Sequence, residues 1–505
     1  MELPAHDVCY RALQSRDPRF DGLFFTGVIT TRVYCRPICP ARTPRLENCY
    51  FYASAAAAQE AGYRPCLRCR PEIAPDLPIW RGTSTTVSRA LALISEGALD
   101  GPENNVDKLA ERLGIGERQL RRLFLQHLGA SPIAVAQTRR VLFAKQLIHD
   151  TRMPMAEIAL ASGFSSLRRF NETFLELFHR PPRALRKKSG AKTDEKDVEL
   201  RLRYRAPYDW NSIIEFLQAR TITGVEVIEK DCYFRTVEID KAVGSIAITH
   251  LPQRQSLRVL IRFPNVKTLP AIVARVRRLF DLNADIETID RHLSADAALK
   301  PLIKQRPGLR APGGWDGFEI AVRAVLSQQI TVGAARQLAG KLIAQHGRTV
   351  PASFCLHPSL THAFPSTKRL ATAPSIDLGM PSSRLATLRA LAEAAVTDPH
   401  LFRPTGNIDE TITRLTSIRG IGEWSAHYIA MRAVREMDAF PATDVGLLRG
   451  AASLYGEKVS SATLLQRADA WRPWRAYAAQ HLWASNSNQH QQSKRNSQVE
   501  QRRKS

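Results

Sequence analysis

The 505-residue chain lacks the features of an exported or membrane-bound protein. It opens MELPAHDV, with no basic segment followed by an apolar one, and no uninterrupted apolar run reaches the roughly 18 residues of a membrane span. Both absences argue against secretion and membrane insertion. Cysteine is scarce, eight in 505 residues, which is too sparse for a disulfide scaffold. Acidic residues are in deficit: 48 Asp and Glu against 72 Lys and Arg leave +24, with a pI near 10.1. That imbalance points to a polyanionic partner. Apolar residues at 44% and charged residues at 24% exclude wholesale disorder, and the length suggests three or four domains.

What is present falls into segments. Six of the eight cysteines lie before residue 70, and the stretch that follows, PEIAPDLP, reads as a linker closing a first domain over 1–78. Residues 80–188 carry Leu, Ala and Arg at helical spacing. KKSGAKTDEKD reads as a second linker. From Val198 to about Thr249 the alternation is that of strands, and helical periodicity then dominates to Trp483, which predicts a sheet subdomain over 198–281 and a helical domain over 282–483. Residues 484–505 have almost no apolar side chain and read as a disordered basic tail. The surplus charge divides as +2 over 1–78, +8 over 79–190, +10 over 191–483 and +4 in the tail.

Cys35 and Cys39 form C-x3-C and Cys66 and Cys69 form C-x2-C, a pattern suited to a tetrahedral four-thiolate zinc site. By spacing alone such a site is usually structural. Cys9 and Cys49, without close partners, read as small core residues. The helical segment contains a repeat: Ala110 and Gly114 recur as Ala159 and Gly163, and Phe124 and Pro132 as Phe174 and Pro182. Each copy is a short helix, a glycine turn and an arginine-rich second helix, the pattern of a helix-turn-helix. One copy alone would equally suit an ordinary helical hairpin with a solvated basic face.

The stretch FFTGVITTRVYCRPICPARTPRLENCYFYASAAAAQEAGYRPCLRCRPE resembles the amino-terminal domain of the Ada family of bacterial methylation sensors. The resemblance implies that Cys35 is both a zinc ligand and the nucleophile that takes a methyl group irreversibly from a DNA methylphosphotriester, with Cys39, Cys66 and Cys69 as the other ligands. Four thiolates and one Zn2+ carry −2, and methylation of Cys35 leaves −1, so DNA affinity should rise after repair. The repeated segment resembles the AraC-type regulatory domain, which implies DNA contacts from Arg118, Arg121 and Arg122 in the first copy and from Arg168 and Arg169 in the second, and transcription activation through RNA polymerase. A methyl acceptor in a Pro-Cys-His-Arg context, which Ada itself carries further on, does not occur; Cys232 and Cys355 read as packing residues.

Further on, LTSIRGIGEWSAHYIAMRAVREMDAFPATDVGLLRGA holds a Gly420-Ile421-Gly422 turn between two helical stretches. Such a turn exposes backbone amides to a phosphate. Asp444 opens the next helix, where the commonest job for Asp is capping. Together with PYDW, RLFDL, RPGLRAPGGWDGFEIAVRAVLSQQITV and WRPWRAYAAQHLW, these stretches resemble the helix-hairpin-helix DNA glycosylases, and among them the AlkA type, 3-methyladenine DNA glycosylase II, over residues 198–483. The resemblance implies Asp444 as catalytic carboxylate, Trp424, Tyr428 and Trp483 as a base pocket, DNA contacts at Gly420 and Gly422, and a monovalent cation at the hairpin. Electron-rich ring faces would hold a cationic alkylated base by stacking and cation–π attraction. Trp424 stands where strand-cleaving members carry a Schiff-base lysine, which implies base excision without nicking. Arg419 replaces a usual proline, and Gln329 stands where a leucine wedge can fill the gap left by a flipped base.

The expectation is therefore a multidomain α+β protein: a small zinc module, an all-α double helix-turn-helix domain, and an α+β glycosylase with an antiparallel sheet and a helix-hairpin-helix core. It is expected to bind Zn2+ and double-stranded DNA, both alkylated and promoter DNA, in a bacterial cytoplasm at the nucleoid. Two rival readings are a methylation-responsive regulator with an inactive glycosylase-like half and a structural zinc scaffold.

Overall fold

The computed structural model describes residues 3–74, 85–100, 105–186, 197–405 and 407–485. The second half of PEIAPDLP, nearly all of KKSGAKTDEKD and the tail beyond Ser485 lie outside them. No helix among the described residues is long and apolar enough to cross a membrane.

The amino-terminal module is a four-stranded sheet flanked by helices α1 (His6–Ser15) and α2 (Ala55–Glu60). Strands β1 (Phe25–Val28), β2 (Val33–Cys35), β3 (Cys49–Tyr52) and β4 (Arg64–Pro65) are ordered β3-β1-β2-β4, with β2 and β4 parallel. The start of PEIAPDLP differs from a linker: Pro71–Ile73 form a 3-10 turn, and Glu72 is buried against the next module. An ion pair decides this, because a carboxylate can be buried once a cation meets it.

Helix α3 (Thr85–Ser95) leads to the repeat. Its first copy is α4 (Val106–Arg112) and α5 (Glu117–Leu128); its second is α7 (Met155–Ala161) and α8 (Leu167–Phe178); the 19-residue α6 (Pro132–Asp150) joins them. Gly114 and Gly163 adopt positive φ in the two turns, where a side chain would be strained. Asn105, Ser131 and Ser166 cap α4, α6 and α8 by accepting from backbone amides.

The sheet that follows has five antiparallel strands, β5 (Val198–Arg203), β6 (Glu226–Glu229), β7 (Cys232–Ile239), β8 (Ala242–Leu251) and β9 (Ser256–Arg262), ordered β5-β9-β8-β7-β6, with α9 (Trp210–Gln218) between β5 and β6. It extends past the expected end near Thr249, because Leu257, Val259 and Ile261 alternate inward along β9 while Arg258 faces solvent. The helical core then runs through α10 (Leu269–Leu279), α11 (Ile286–Leu293), α12 (Leu299–Gln305), α13 (Gly317–Leu326), α14 (Val332–His346), α15 (Thr367–Ala371), α16 (Ser382–Thr397), α17 (Ile408–Thr416), α18 (Glu423–Ile429), α19 (Val445–Tyr455) and α20 (Ser461–Ala468), and ends in a helix over 475–485.

The segments are not beads on a string. One hydrophobic core takes Ala144 and Ile148 from α6, Ile158 from α7 and Phe170 from α8 together with Leu200, Leu202, Val259 and Ile272. Strand β5 is an edge of its sheet, and Gln146 of α6 donates to its Arg201 carbonyl at 3.1 Å. The fold class is thus the expected mixture, with the repeat and the sheet packed as one body.

Candidate functional site

The four cysteines of the first module converge. Cys35 ends β2, Cys39 lies in the turn after it, and Cys66 and Cys69 follow β4. Their sulfur atoms all lie within 4.8 Å of one another. A tetrahedral ion with Zn–S bonds of about 2.3 Å needs sulfurs about 3.8 Å apart, so the donor set and its spacing fit Zn2+. The backbone N–H of Arg36 donates to the Cys69 sulfur and that of Arg68 to the Cys66 sulfur, both at 3.4 Å. Cys39, Cys66 and Cys69 are buried, whereas Cys35 is half-buried and is the most accessible of the four. Cys9 and Cys49 are buried elsewhere, and burial first of all pushes each thiol up to about 11, as suits packing residues.

The surroundings of the cluster were not readable as motifs. Arg36 is fully buried; its Nε donates to Asp21 at 2.7 Å, and its guanidinium also reaches the Cys69 carbonyl at 3.0 Å. From α6, the buried Lys145 ammonium donates to Glu72 at 2.7 Å and to the Cys66 carbonyl at 3.0 Å. Burial opposes the Glu72 charge, but Lys145 and Arg70 outweigh it and hold its carboxyl below the ordinary value. Arg70 also pairs with Asp150 at the end of α6. The long helix between the two helix-turn-helix units is thereby clamped to the loop that carries Cys66 and Cys69.

On the second helices of the repeat, Arg118 and Arg122 of α5 and Arg168 and Arg169 of α8 are exposed. Arg121 is half-buried and pairs with Glu117, and Arg168 pairs with Glu172 at 2.8 Å. Four of the five arginines are therefore exposed, Arg168 within an ion pair, and Arg121 is oriented by its neighbour.

In the carboxy-terminal half, the Gly420–Gly422 turn joins α17 to α18, and a Cβ on Gly420 would stand 1.9 Å from the Thr387 hydroxyl. With φ at +83° as well, only glycine fits there. Arg419 beside it is exposed. Gln328, not singled out from sequence, ties this turn to the one after α13 by donating to the Gly420 carbonyl at 3.0 Å and to the Ser425 hydroxyl at 3.1 Å. Its neighbour Gln329 is exposed at the tip, with φ at +57°.

Asp444 caps α19 and does more. One carboxylate oxygen accepts from the Leu447 backbone N–H at 2.9 Å and from the Trp483 indole N–H at 2.8 Å; the other accepts from the Trp424 indole N–H at 2.8 Å. Trp424 stacks on Tyr428, with ring centroids 5.5 Å apart and planes at 15°. All four residues are half-buried, so the cluster opens to solvent. Gly446 lets Trp483 close in, since a Cβ there would lie 3.1 Å from the indole.

The aromatic rings also meet cations of the protein itself. The guanidinium carbon of Arg432 lies 5.8 Å from the Tyr428 ring centroid, 5.5 Å from that of Trp483 and 4.5 Å from that of Phe216. Arg220 lies 4.0 Å from the Phe216 centroid. Burial would raise the Tyr428 phenol, but Arg220 and Arg432 outweigh it and draw the group below its ordinary value. Arg220 lies outside the stretches quoted above, and Arg432 lies within the hairpin stretch without having been singled out.

Comparison with known proteins follows this geometry. The family profile described as the metal binding domain of Ada matches residues 8–72, a helix-turn-helix domain matches 109–188 and the AlkA N-terminal domain matches 199–316. A Mycobacterium tuberculosis protein named "probable bifunctional transcriptional activator/DNA repair enzyme AlkA" is 40% identical over 483 residues, 94% of this chain and 96% of that protein. The DNA-3-methyladenine glycosylase 2 of Escherichia coli is 30% identical over 56% of this chain and 95% of its own length. A solved 3-methyladenine DNA-glycosylase from Archaeoglobus fulgidus, 21% identical, shares the fold with a TM-score of 0.51 over 57% of this chain and 98% of that one. The chain therefore belongs to the family of bifunctional transcriptional activator/DNA repair enzymes in which an Ada metal-binding module, a helix-turn-helix domain and an AlkA-type glycosylase half form one polypeptide.

Proposed function

We propose that the protein repairs alkylated DNA by two chemistries and reports the first of them to transcription. In the first, the Cys35 sulfur attacks the methyl carbon of a DNA methylphosphotriester; an S–C bond forms, the C–O bond breaks, and an ordinary phosphodiester anion leaves. Zinc in the four-cysteine site would supply thiolate character at neutral pH. Cys35 is the most exposed residue of the four, which suits it to meet a backbone phosphate. The product is an uncharged thioether, so the module repels DNA less and the exposed arginines of α5 and α8 hold a promoter more tightly. Activation through RNA polymerase, a monovalent cation at the hairpin and a place at the bacterial nucleoid belong to the same reading. So does the division of the chain at 1–78, 80–188, 198–281 and 282–483.

In the second chemistry, the half after residue 197 flips an alkylated nucleotide out of the duplex and releases 3-methyladenine and related N-alkylated purines by hydrolysis. The observation that carries this is Asp444 held between two indole N–H groups at the mouth of an aromatic cluster. A carboxylate so oriented stabilises the positive charge that builds on the sugar and steers water to it. With tryptophan at position 424 no amine attacks the sugar, so the strand stays intact. Asp444→Asn keeps the helix cap, and excision of 3-methyladenine from methylated duplex should vanish; no release even by wild type favours the regulator with an inactive half. A nicked product before alkali would refute the hydrolytic mode. Intact-mass analysis after incubation with methylated DNA should add about 14 Da to wild type and nothing to Cys35→Ser, the mass of one methylene-equivalent on a thiolate.

A further inference from the structure

The walls of the aromatic pocket carry fixed positive charge. Arg432, on the π-helical turn Ala430–Val434 directly after α18, is 2% exposed. Its terminal nitrogens donate to the Pro312 carbonyl at 2.7 Å and the Gln480 side chain at 3.1 Å, while its Nε has no hydrogen-bond partner among the described residues. What faces the rest of the guanidinium is the ring surface of Phe216 and Trp483 together with Tyr428, whose phenol also interacts with it. A ring that already faces one cation offers a second cation on its far side little net attraction, because the two charges repel through a thin, poorly screening slab.

The chemistry of departure gives this charge a direction. When the bond between C1′ and the base nitrogen breaks, its electron pair goes to the base. A cationic base leaves neutral, and a neutral base leaves as an anion or must capture a proton. In both cases positive charge appears on the sugar, toward Asp444, and water adds to C1′ with loss of its proton. A guanidinium behind the rings therefore does opposite things to the two substrate classes: it repels a cationic base while it is bound and stabilises the negative charge that builds on a neutral one.

We infer that Arg432 is a specificity-determining residue of the base pocket, one that shifts excision away from cationic alkylated bases and toward uncharged modified purines. The inference rests on the reading of Trp424, Tyr428 and Trp483 as that pocket. A base stacked on Tyr428 or Trp483 would lie roughly 8 to 10 Å from the guanidinium, where one unit charge changes relative rates on the order of tenfold at an effective dielectric of about 20.

The test uses the full chain and two duplexes, one with a single N7-methylated guanine, a cation, and one with a single deaminated adenine, which is neutral. The readout is the ratio of single-turnover kcat/KM values, cationic over neutral, taken well below saturation so that repulsion of the bound cation is counted, and intrinsic differences between the leaving groups cancel between variants. Arg432→Met should raise the ratio about tenfold, with a fall in the neutral rate and a lower KM for the cationic duplex, while Arg432→Lys should stay within about threefold of wild type. An unmoved ratio in Arg432→Met, or an equal rise in Arg432→Lys, overturns the inference. If Arg432→Met does not fold, wild type decides: an N-methylated purinium and its uncharged parent should inhibit within about threefold of each other, and a purinium that binds more than about tenfold better overturns the inference. Excision of neither lesion by wild type would overturn the glycosylase reading and this inference with it; excision with an unmoved ratio overturns this inference alone.

Discussion

At the scale of the residue, Asp444 shows how one side chain serves structure and chemistry together. It accepts three hydrogen bonds, one from its own helix and two from indoles that arrive from α18 and from the helix over 475–485. Asn can keep the helix cap through its one carbonyl oxygen, but its amide nitrogen cannot accept the second indole N–H, so Asp444→Asn should cost about 1 to 3 kcal/mol and lower the thermal midpoint by a few degrees. Excision should still fall by about 100-fold or more, since the lost charge faces the developing cation. Parallel calorimetry and single-turnover assays on one preparation check both. The site was only partly legible in the sequence, and distance explains which part. The C-x3-C and C-x2-C pairs announce themselves because their members are neighbours in the chain. Arg36 and Asp21 are 15 positions apart and Lys145 and Glu72 are 73 apart, and no local pattern marks a buried ion pair of that kind. The same holds for Arg432, which reads as one more basic residue until its rings surround it.

At the scale of the element, short patterns translated well and long-range pairing did not. The repeat was visible because each copy brings its own small alanine and turn glycine, Ala110 and Gly114 and then Ala159 and Gly163, followed by the same Phe and Pro. The last strand of the large sheet was not, because β9 alternates over only seven residues and, of its two partners, only β8 is its neighbour in sequence while β5 opens the subdomain. The Gly420 turn is the element most sensitive to a single methyl. Gly420→Ala drives a Cβ into Thr387 and holds a side chain at positive φ, so it should cost about 2 kcal/mol or more, and adding Thr387→Ala, which removes the clashing hydroxyl and the methyl group, should recover part of that loss in denaturant titrations. The helix over 475–485 carries an acid-sensitive point. His481 on it is buried, and burial pushes its imidazole down to about 4. The unfolded chain therefore takes up a proton near pH 6.5 that the folded chain refuses until about pH 4, and stability falls as pH drops through that window. Thermal midpoints between pH 7 and 5 should decline less steeply in His481→Phe than in wild type. Trp483 sits two positions along the same helix, so indole fluorescence should report the change.

At the scale of the whole molecule, the two halves lean on each other. Strand β5 is the edge of its sheet, and α6 both packs on it and bonds its backbone through Gln146. A fragment that begins at residue 197 bares that edge together with Leu200 and Leu202. It should show a lower thermal midpoint than the full chain and a concentration-dependent rise in light scattering, and a monomeric fragment of unchanged stability would show that the shared core contributes nothing. The Lys145 clamp makes the other end of the same assembly. Lys145→Met leaves Glu72 buried beside one cation instead of two, and about 3 kcal/mol of stability should be lost, read by chemical denaturation of the zinc-loaded protein.

The joint core also bears on how such a chain can be assembled and taken apart over generations. Sensor, reader and excision half look like interchangeable cassettes when their sequences are laid end to end. A recombination event between residues 186 and 197 would nonetheless cut through one hydrophobic interior rather than between two. A new partner spliced there would inherit a half-built wall, so the fused order is self-preserving: each half has become part of the other's scaffold.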